Sequence, residues 1–289
     1  MKILVTGVNG QLGHDLVECL GARGHEAVGV DIADMDITDG ASVDRVLSSV
    51  RPDAVIHCAA WTAVDAAEDA ENLEKVRRVN AGGTGHIAEA CEKLGCKLMY
   101  ISTDYVFDGG GVRPWEPDDA RHPLNVYGET KYEGELAVER LEKHFIVRIA
   151  WVFGVNGGNF VKTMLNKGKT VKALRVVSDQ VGSPTYTRDL SRLLADMIVT
   201  DKYGTYHATN EGFCSWYDFA CEIFRQAAER DPATYADVTV APVDSSAYPA
   251  KAKRPTNSRM SKEKLTEMGF TKLPTWQDAL SRYLTELGM

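Results

Sequence analysis

The sequence predicts an α/β fold in which helices cover both faces of a parallel sheet. Through residues 1–154, short apolar segments of the kind that form fully buried strands alternate with amphipathic helical segments. A glycine-rich turn joins the first strand to the first helix, and after residue 154 the alternation gives way to irregular segments. These observations indicate a Rossmann-type doubly wound parallel sheet with a smaller C-terminal lobe.

Five strands and four helices are predicted in the first half of the chain. The strands are residues 3–5, 27–30, 54–59, 97–102 and 145–153, and the helices are residues 12–20, 42–50, 73–94 and 127–141. Ser42 is expected to cap the second helix. Later helices are predicted at residues 160–165, 188–198 and 216–228 and from Thr275, with strands near residues 174–178 and 205–209.

The same pattern divides the chain into two parts. Residues 1–154, completed by about residues 176–210, are expected to form a dinucleotide-binding Rossmann domain. Residues 155–175 and 211–289 are expected to form a substrate-binding lobe beside the carboxyl ends of the strands. A chain of 289 residues with 44% apolar residues is large enough for both.

Composition excludes several classes of protein. The net charge of −8 argues against a protein that binds nucleic acid or an anionic membrane mainly by charge. The segment 1–13 does not resemble a signal peptide, and no apolar stretch approaches the ~18 residues of a membrane span. The six cysteines include no C-x-x-C pair and suit a reducing compartment. We therefore expect a cytoplasmic protein with no nucleic-acid or membrane partner.

Three glycines mark a candidate dinucleotide site. Gly7, Gly10 and Gly13 lie between the first strand and the first helix, where a backbone without side chains can turn tightly and approach a pyrophosphate. The amides of the helix N-terminus would bind the anion, although a tight turn without a ligand has the same sequence. Asp31 ends the second strand and favours NADH, because a carboxylate binds ribose hydroxyls and repels a 2′-phosphate; otherwise it is a solvated turn residue.

Tyr127 and Lys131 form a Y-x-x-x-K pair on one face of a predicted helix. The lysine ammonium is expected to lower the tyrosine pKa, so that the pair exchanges a proton with a carbonyl or alcohol near neutral pH. Thr103, at the end of the fourth strand, could donate a hydrogen bond to the same substrate oxygen. The alternatives are a surface helix for the pair and a strand-end capping role for the threonine.

The glycine triplet and the Y-x-x-x-K pair together resemble the extended short-chain dehydrogenase/reductase superfamily. Within it, several segments are similar to the dTDP-4-dehydrorhamnose reductase family, and the similarity spans nearly the whole chain. They include AAWTAVDAAE (59–68), STDYVFDG (102–109), PLNVYGETKYEGE (123–135), VRIAWVFG (147–154), SDQVGSPT (178–185) and RPTNSR (254–259).

The resemblance implies an NADPH- or NADH-dependent reductase that converts the 4-keto group of dTDP-6-deoxy-L-lyxo-4-hexulose into dTDP-L-rhamnose. Thr103, Tyr127 and Lys131 would be catalytic, with Tyr127 protonating the C4 oxygen. The expected cofactor contacts are Gly7, Gly10, Gln11, Leu12, Gly13, Asp31, Asp36, Ile37, Ala59, Ala60, Trp61, Thr62, Tyr127 and Lys131. The expected substrate contacts are Thr103, Asp104, Tyr105, Trp151 and Arg254.

Some expectations stay open at this point. Trp151 could instead be a core indole, and Arg254 could form a structural salt bridge. Relatives dimerise through Mg²⁺ held by acidic residues, but Arg188 follows Thr187 where an acidic ligand would be needed, so we do not expect a metal-bridged dimer. The chain is expected to be a monomer or a homodimer.

Two other functions remain compatible with these motifs. One is a non-catalytic, NADP-binding regulatory subunit like the β subunit of methionine adenosyltransferase. The other is a reductase of a different 4-keto-6-deoxy sugar nucleotide.

Overall fold

A computed structural model describes all 289 residues of the chain. The strands are β1 (Lys2–Thr6), β2 (Glu26–Val30), β3 (Ala54–His57), β4 (Lys97–Thr103), β5 (His144–Ile149), β6 (Val152–Phe153), β7 (Ala173–Val177), β8 (Val181–Gly182), β9 (Thr185–Tyr186), β10 (Gly204–His207), β11 (Cys214–Ser215) and β12 (Thr239–Val243). The helices are α1 (Gln11–Ala22), α2 (Gly40–Val50), α3 (Leu73–Arg77), α4 (Thr84–Leu94), α5 (Val126–Val138), α6 (Phe160–Gly168), α7 (Thr187–Ile198), α8 (Trp216–Arg230), α9 (Pro232–Tyr235), α10 (Glu263–Glu267) and α11 (Trp276–Glu286).

The central sheet contains six parallel strands in the order β10-β5-β4-β3-β1-β2. The strand order reverses between β1 and β3, and ligands of open α/β sheets bind outside the carboxyl ends of the strands at such a point. Thr6, the last residue of β1, lies opposite His57 at the end of β3. The predicted doubly wound parallel sheet is therefore confirmed.

Apolar side chains cover the sheet on both faces, as the alternation of side chains along a strand requires. In β1, Ile3 and Val5 pack with α1 and α7, whereas Leu4 faces the opposite core beneath α2 and α4. These residues are fully buried. A third buried cluster, which includes Phe153 and Phe219, lies apart from the sheet and joins α6, α8 and α11.

Three two-stranded pairs lie outside the central sheet. β6 pairs with β9, β7 pairs with β12, and β8 pairs with β11. The predicted division into a Rossmann domain and a substrate-binding lobe stays a prediction. In the structure, β10 joins the central sheet beside β5, and Leu265, Phe270 and Leu273 of the C-terminal region belong to the sheet's core.

Two local expectations were wrong, and a third, the helix over 73–94, has the predicted bounds but is not α-helical throughout. Asp39 caps α2 by accepting from the Ala41 amide, and Ser42, the predicted cap, is buried inside the first turn. The helix predicted over 73–94 contains a π-helical segment (Arg78–Gly83) between α3 and α4. The fifth strand stops at Ile149, because Trp151 adopts a φ of 49° and turns the chain away from the sheet.

None of the helices combines the length and the apolar composition that a membrane span requires.

Candidate active site

A cavity of about 670 Å³ lies at the carboxyl edge of the sheet. The turns after β1, β3, β4 and β5 and the first turns of α1 and α5 form its walls. Fifteen predicted site residues line it: Gly7, Gly10, Gln11, Leu12, Gly13, Asp31, Ala59, Ala60, Thr62, Thr103, Asp104, Tyr105, Tyr127, Lys131 and Trp151. One cavity therefore brings the glycine turn and the Y-x-x-x-K pair together.

The glycine turn has no space for side chains. A Cβ on Gly7, whose φ is 70°, would lie 2.8 Å from the Ala59 amide nitrogen, and a Cβ on Gly13 would lie 2.3 Å from the Gly7 carbonyl oxygen. Gly10 precedes α1 and supplies no side-chain cap, so the first amides of this 12-residue helix have no capping side chain. Such amides and the helix dipole suit a pyrophosphate.

Asp31 lies at the far side of this turn. Its Oδ2 accepts from the Asn9 amide at 3.0 Å and its Oδ1 accepts from the Ile32 amide at 2.8 Å. The carboxylate thus stands at the end of β2 beside the glycine turn, within the cavity wall. This position suits hydrogen bonds from ribose hydroxyls.

Three of the predicted cofactor residues lie outside the cavity lining. Asp36 accepts from the Thr38 amide and hydroxyl, and Ile37 is buried in the core on that side of the sheet. Trp61 is held away by its own bonds: its amide donates to Asn80 Oδ1 at 2.8 Å, and its indole nitrogen donates to a loop carbonyl oxygen. These three side chains therefore do not line the cavity, and their contact with the cofactor stays a prediction.

The first turn of α5 positions the candidate catalytic pair. Asn125 caps the helix by accepting from the Gly128 amide at 2.8 Å, which fixes Tyr127 in the first turn and Lys131 one turn later. The Lys131 ammonium donates to the Ile101 carbonyl oxygen at 2.7 Å and lies 4.1 Å from the centre of the Tyr100 ring. Burial lowers the pKa of Lys131 to about 7.

The pKa of Tyr127 is raised, whereas the sequence predicted that it would be lowered. Burial raises it to about 12, and the neighbouring Thr103 hydroxyl acts in the opposite direction. The sequence predicted a depressed pKa because of Lys131, but that ammonium bonds to the Ile101 carbonyl oxygen. The expected depression is wrong for this arrangement, since desolvation of a phenolate outweighs the stabilisation that its neighbours provide. A phenol that holds its proton is suited to donate it.

Asp104 and Tyr105 follow the threonine at the end of β4. The Thr103 hydroxyl donates to Asp104 Oδ1 at 3.1 Å, and Asp104 is buried. Burial raises the pKa of Asp104 to about 6. The Tyr105 ring meets the Tyr127 ring edge-on, with centroids 5.6 Å apart. Hydrogen bonding by the Ser258 and Thr103 hydroxyls acts against the rise of the Asp104 pKa, so the Asp104 carboxylate lies among hydroxyl groups at the end of β4.

Comparison with known proteins identifies the family. The family model described as the RmlD substrate binding domain matches residues 1–289. A dTDP-4-dehydrorhamnose reductase of Escherichia coli is 38% identical over 99% of this chain and 98% of its own length, and one of Streptomyces griseus is 40% identical over 96% and 91%. The chain belongs to the dTDP-4-dehydrorhamnose reductase family. The resemblance that the motifs indicated is therefore confirmed.

Solved structures agree with this assignment to the dTDP-4-dehydrorhamnose reductase family. A reductase from Clostridium acetobutylicum superposes with a TM-score of 0.94 at 42% identity and covers all of both chains. The Bacillus anthracis enzyme, solved in complex with NADP, gives a TM-score of 0.92 at 40% identity over 99% of each chain. A UDP-glucose 4-epimerase of Thermus thermophilus, at 20% identity and a TM-score of 0.83, shares the fold.

A second cavity of about 730 Å³ is lined by Arg254, the one predicted substrate residue that does not line the first cavity. The Arg254 guanidinium donates two hydrogen bonds to the Asp65 carboxylate, at 2.8 and 3.1 Å. Lys167, Arg175 and Lys253 add positive charge to the same wall. Arg254 therefore makes the structural salt bridge left open above, and it also faces a cationic cavity that suits an anion.

Trp216 is the site residue that sequence reasoning missed. It begins α8, where Ser215 and Asp218 form a capping box, and it lines both cavities. Its ring stacks on Trp151 with centroids 3.7 Å apart and an interplanar angle of 15°. No motif marks Trp216, because the contact joins residues 65 positions apart in an irregular part of the sequence.

Arg188, the cation because of which we expect no metal-bridged dimer, forms ion pairs. The Arg188 guanidinium contacts a Glu286 carboxylate oxygen and lies 3.7 Å from a Glu18 oxygen, while Asp15 accepts from the Thr187 hydroxyl. No group of three or more His, Cys, Asp or Glu side chains is arranged to hold a metal ion. The Arg188 guanidinium thus lies near the carboxylates of Glu18 and Glu286.

Proposed function

We propose that this chain reduces the 4-keto group of dTDP-6-deoxy-L-lyxo-4-hexulose and so forms dTDP-L-rhamnose. The observation that carries the proposal is the convergence of Thr103, Tyr127 and Lys131 on the cavity that also contains the glycine turn. Relatives that span the whole chain and are named for this reaction support it. The nicotinamide cofactor, NADPH or NADH, supplies the hydride when bound.

The chain's own residues would bind the cofactor and move one proton. The uncapped amides at the start of α1, with Gly7 and Gly13 leaving room, would bind the pyrophosphate, and Asp31 would bind the adenosine ribose. Tyr127 keeps its proton because burial raises its pKa to about 12. Thr103 would turn its hydroxyl proton from Asp104 Oδ1 to the C4 oxygen when substrate binds, and Tyr127 would donate to the same oxygen and pass its proton to it.

Lys131 would assist from one helical turn behind the tyrosine. Its pKa of about 7 leaves a substantial charged fraction at neutral pH, and the positive charge favours loss of the phenolic proton. Asp104, which lines the cavity beside Thr103, would accept a hydrogen bond from a hydroxyl of the sugar. The nucleoside diphosphate would extend toward the cavity that Arg254 and Arg175 line.

Coupled turnover tests the proposal. The keto-sugar nucleotide is generated in situ, and the absorbance of NADPH and of NADH is followed with the wild-type chain and with Tyr127→Phe. We expect turnover by the wild type and a loss of about two orders of magnitude or more in kcat for the variant, because a positioned proton donor contributes that much. Tyr132→Phe, on the same helix but outside the cavity, is the matched control and should keep wild-type kcat.

Three results would contradict the proposal in different ways. No oxidation of either cofactor, together with a stoichiometric partner in a pull-down, would favour the regulatory subunit. Higher kcat/KM on a GDP-linked 4-keto sugar would move the function to another sugar nucleotide. Wild-type activity in Tyr127→Phe would overturn the assigned role of that residue. The cytoplasmic location and the choice between monomer and homodimer stay predictions.

A further inference from the structure

Trp216 lies at the junction of the two cavities. The two cavities have separate linings, one around Tyr127 and one around Arg254, and Trp216 is the one residue that belongs to both. The first cavity contains the candidate proton donor, and the second contains four basic side chains and one carboxylate, Asp65. A ligand with a reactive sugar at one end and phosphates at the other would have to pass this indole.

The indole of Trp216 is also fixed in place. The capping box of Ser215 and Asp218 sets the start of α8, and the Phe160 ring packs beside the indole with centroids 4.6 Å apart. Both Trp216 and its stacking partner Trp151 are only half-buried, so the pair keeps surface that a ligand can reach.

The stack also determines what Trp151 can offer a ligand. One face of the Trp151 ring lies against Trp216, and the ring atoms are so close to Gly182 that a Cβ there would lie 3.1 Å away. Trp151 is therefore held between an indole and a backbone, in a residue whose own φ is 49°. Trp216 and Trp151 thus cover one face of each other, and the surface that both rings keep lies at the junction of the two cavities.

We propose that Trp216 is a further substrate-contacting residue, which binds the link between the sugar and the diphosphate and holds Trp151 in place by stacking on it. The inference rests on the proposed function, because it assumes that a sugar nucleotide spans both cavities. A flat aromatic ring offers a large contact area to a ligand and loses little rotamer entropy when the ligand binds. Its contribution would fall on binding of the sugar nucleotide and leave the cofactor site beside Gly10 unchanged.

Calorimetric titration with dTDP and with NADPH, together with steady-state kinetics, tests this role. For Trp216→Ala we expect the dTDP dissociation constant and the KM for the keto-sugar nucleotide to rise about tenfold, while kcat changes less than threefold and NADPH affinity stays unchanged. Trp216→Phe should keep much of the affinity, since it retains a ring. Trp276→Phe is the matched control. Trp276 packs on Phe219, which lies in α8 like Trp216, but Trp276 lines neither cavity.

Fluorescence gives a second readout. Addition of dTDP should change the tryptophan emission of the wild type and of Trp276→Phe, and should change the emission of Trp216→Phe less, because only Trp151 then remains at the junction. A dTDP dissociation constant for Trp216→Ala within twofold of wild type would overturn the inference, as would an equal loss of dTDP and NADPH affinity. If Trp216→Ala does not fold, Trp216→Leu, which keeps volume without a ring, is judged by the same criteria. A wild-type chain that neither binds dTDP nor turns over contradicts the proposed function instead.

Discussion

Glu135→Gln is expected to destabilise the protein strongly, because this carboxylate lies in a buried charge cluster behind the cavity. Arg148 donates to it through Nε and Nη2, both at 2.8 Å, and Arg121 donates at 3.0 Å. Ser102, at the end of β4, also donates to it. Glu135 is fully buried and Arg148 is 1% exposed, so neither charge has water as an alternative partner.

The expected loss of stability is large because the buried Arg148 guanidinium would remain without its charged partner. Glutamine matches the shape of glutamate but carries no charge, and its NH₂ group would face the donors of Arg148. Breaking a buried pair by removing one partner costs about 3–5 kcal/mol, which corresponds to a fall in Tm of roughly 5–8 °C for a chain of 289 residues. Glu139→Gln, one turn further along and partly exposed, also loses a bond to Arg121 but should cost about 1 kcal/mol or less.

Denaturant unfolding and thermal scans of both variants measure this difference. Activity gives a second test, because Glu135 raises the pKa of Lys131 while burial lowers it. Without the carboxylate the Lys131 pKa falls further, so the alkaline limb of the pH profile of kcat/KM should move to lower pH. A Glu135→Gln variant as stable as Glu139→Gln, with an unshifted profile, would refute the reasoning.

Two further outcomes are expected. Gly13→Ala should abolish cofactor binding and lower the free energy of unfolding by ~1–3 kcal/mol, because its Cβ would lie 2.3 Å from the Gly7 carbonyl oxygen. Gly21→Ala, in the same helix with open space around it, is the control and should raise the free energy of unfolding by ~0.5–1 kcal/mol. Equal behaviour of the two variants in NADPH titration and urea unfolding would contradict this prediction. Burial lowers the pKa of His57 to about 3, far below its value near 6.5 in an unfolded chain, so the unfolded state binds more protons between these values. Stability should therefore fall by up to ~1.4 kcal/mol per pH unit as the pH drops below about 6.5, and urea unfolding curves of wild type and His57→Gln that stay parallel from pH 7.5 to 5 would be inconsistent with it.

The central sheet could be predicted from sequence because its signals are local. Each strand of the first half is a short apolar run, and each helix shows one apolar face, so β1 to β5 were located to within a few residues. The cavity followed from the rule that parallel strands collect their loops at one edge. Gly13 and Tyr127 therefore reach the same cavity although they lie far apart in sequence.

The features that were missed depend on contacts between distant segments. β12 and its pairing with β7 join residues 239–243 to 173–177, and nothing in either segment specifies the partner. Trp151 leaves the sheet because its side chain packs between Trp216 and Gly182, and this packing overrides the strand-like apolar pattern of its neighbours. The Tyr127 pKa was misjudged for a related reason: a sequence shows the spacing to Lys131 but not the depth of burial.

Helix α5 connects the chemistry of the site to the stability of the fold. Tyr127, Lys131 and Glu135 follow one another at intervals of four residues, so they lie along one stripe of the helix that runs from the cavity into the interior. The stripe begins at a phenol that keeps its proton, continues through an ammonium with a pKa near 7, and ends at a carboxylate bonded to two arginines. Because Glu135 both stabilises the fold and raises the pKa of Lys131, loss of the Glu135 cluster is expected to alter the proton transfer that we propose at the cavity.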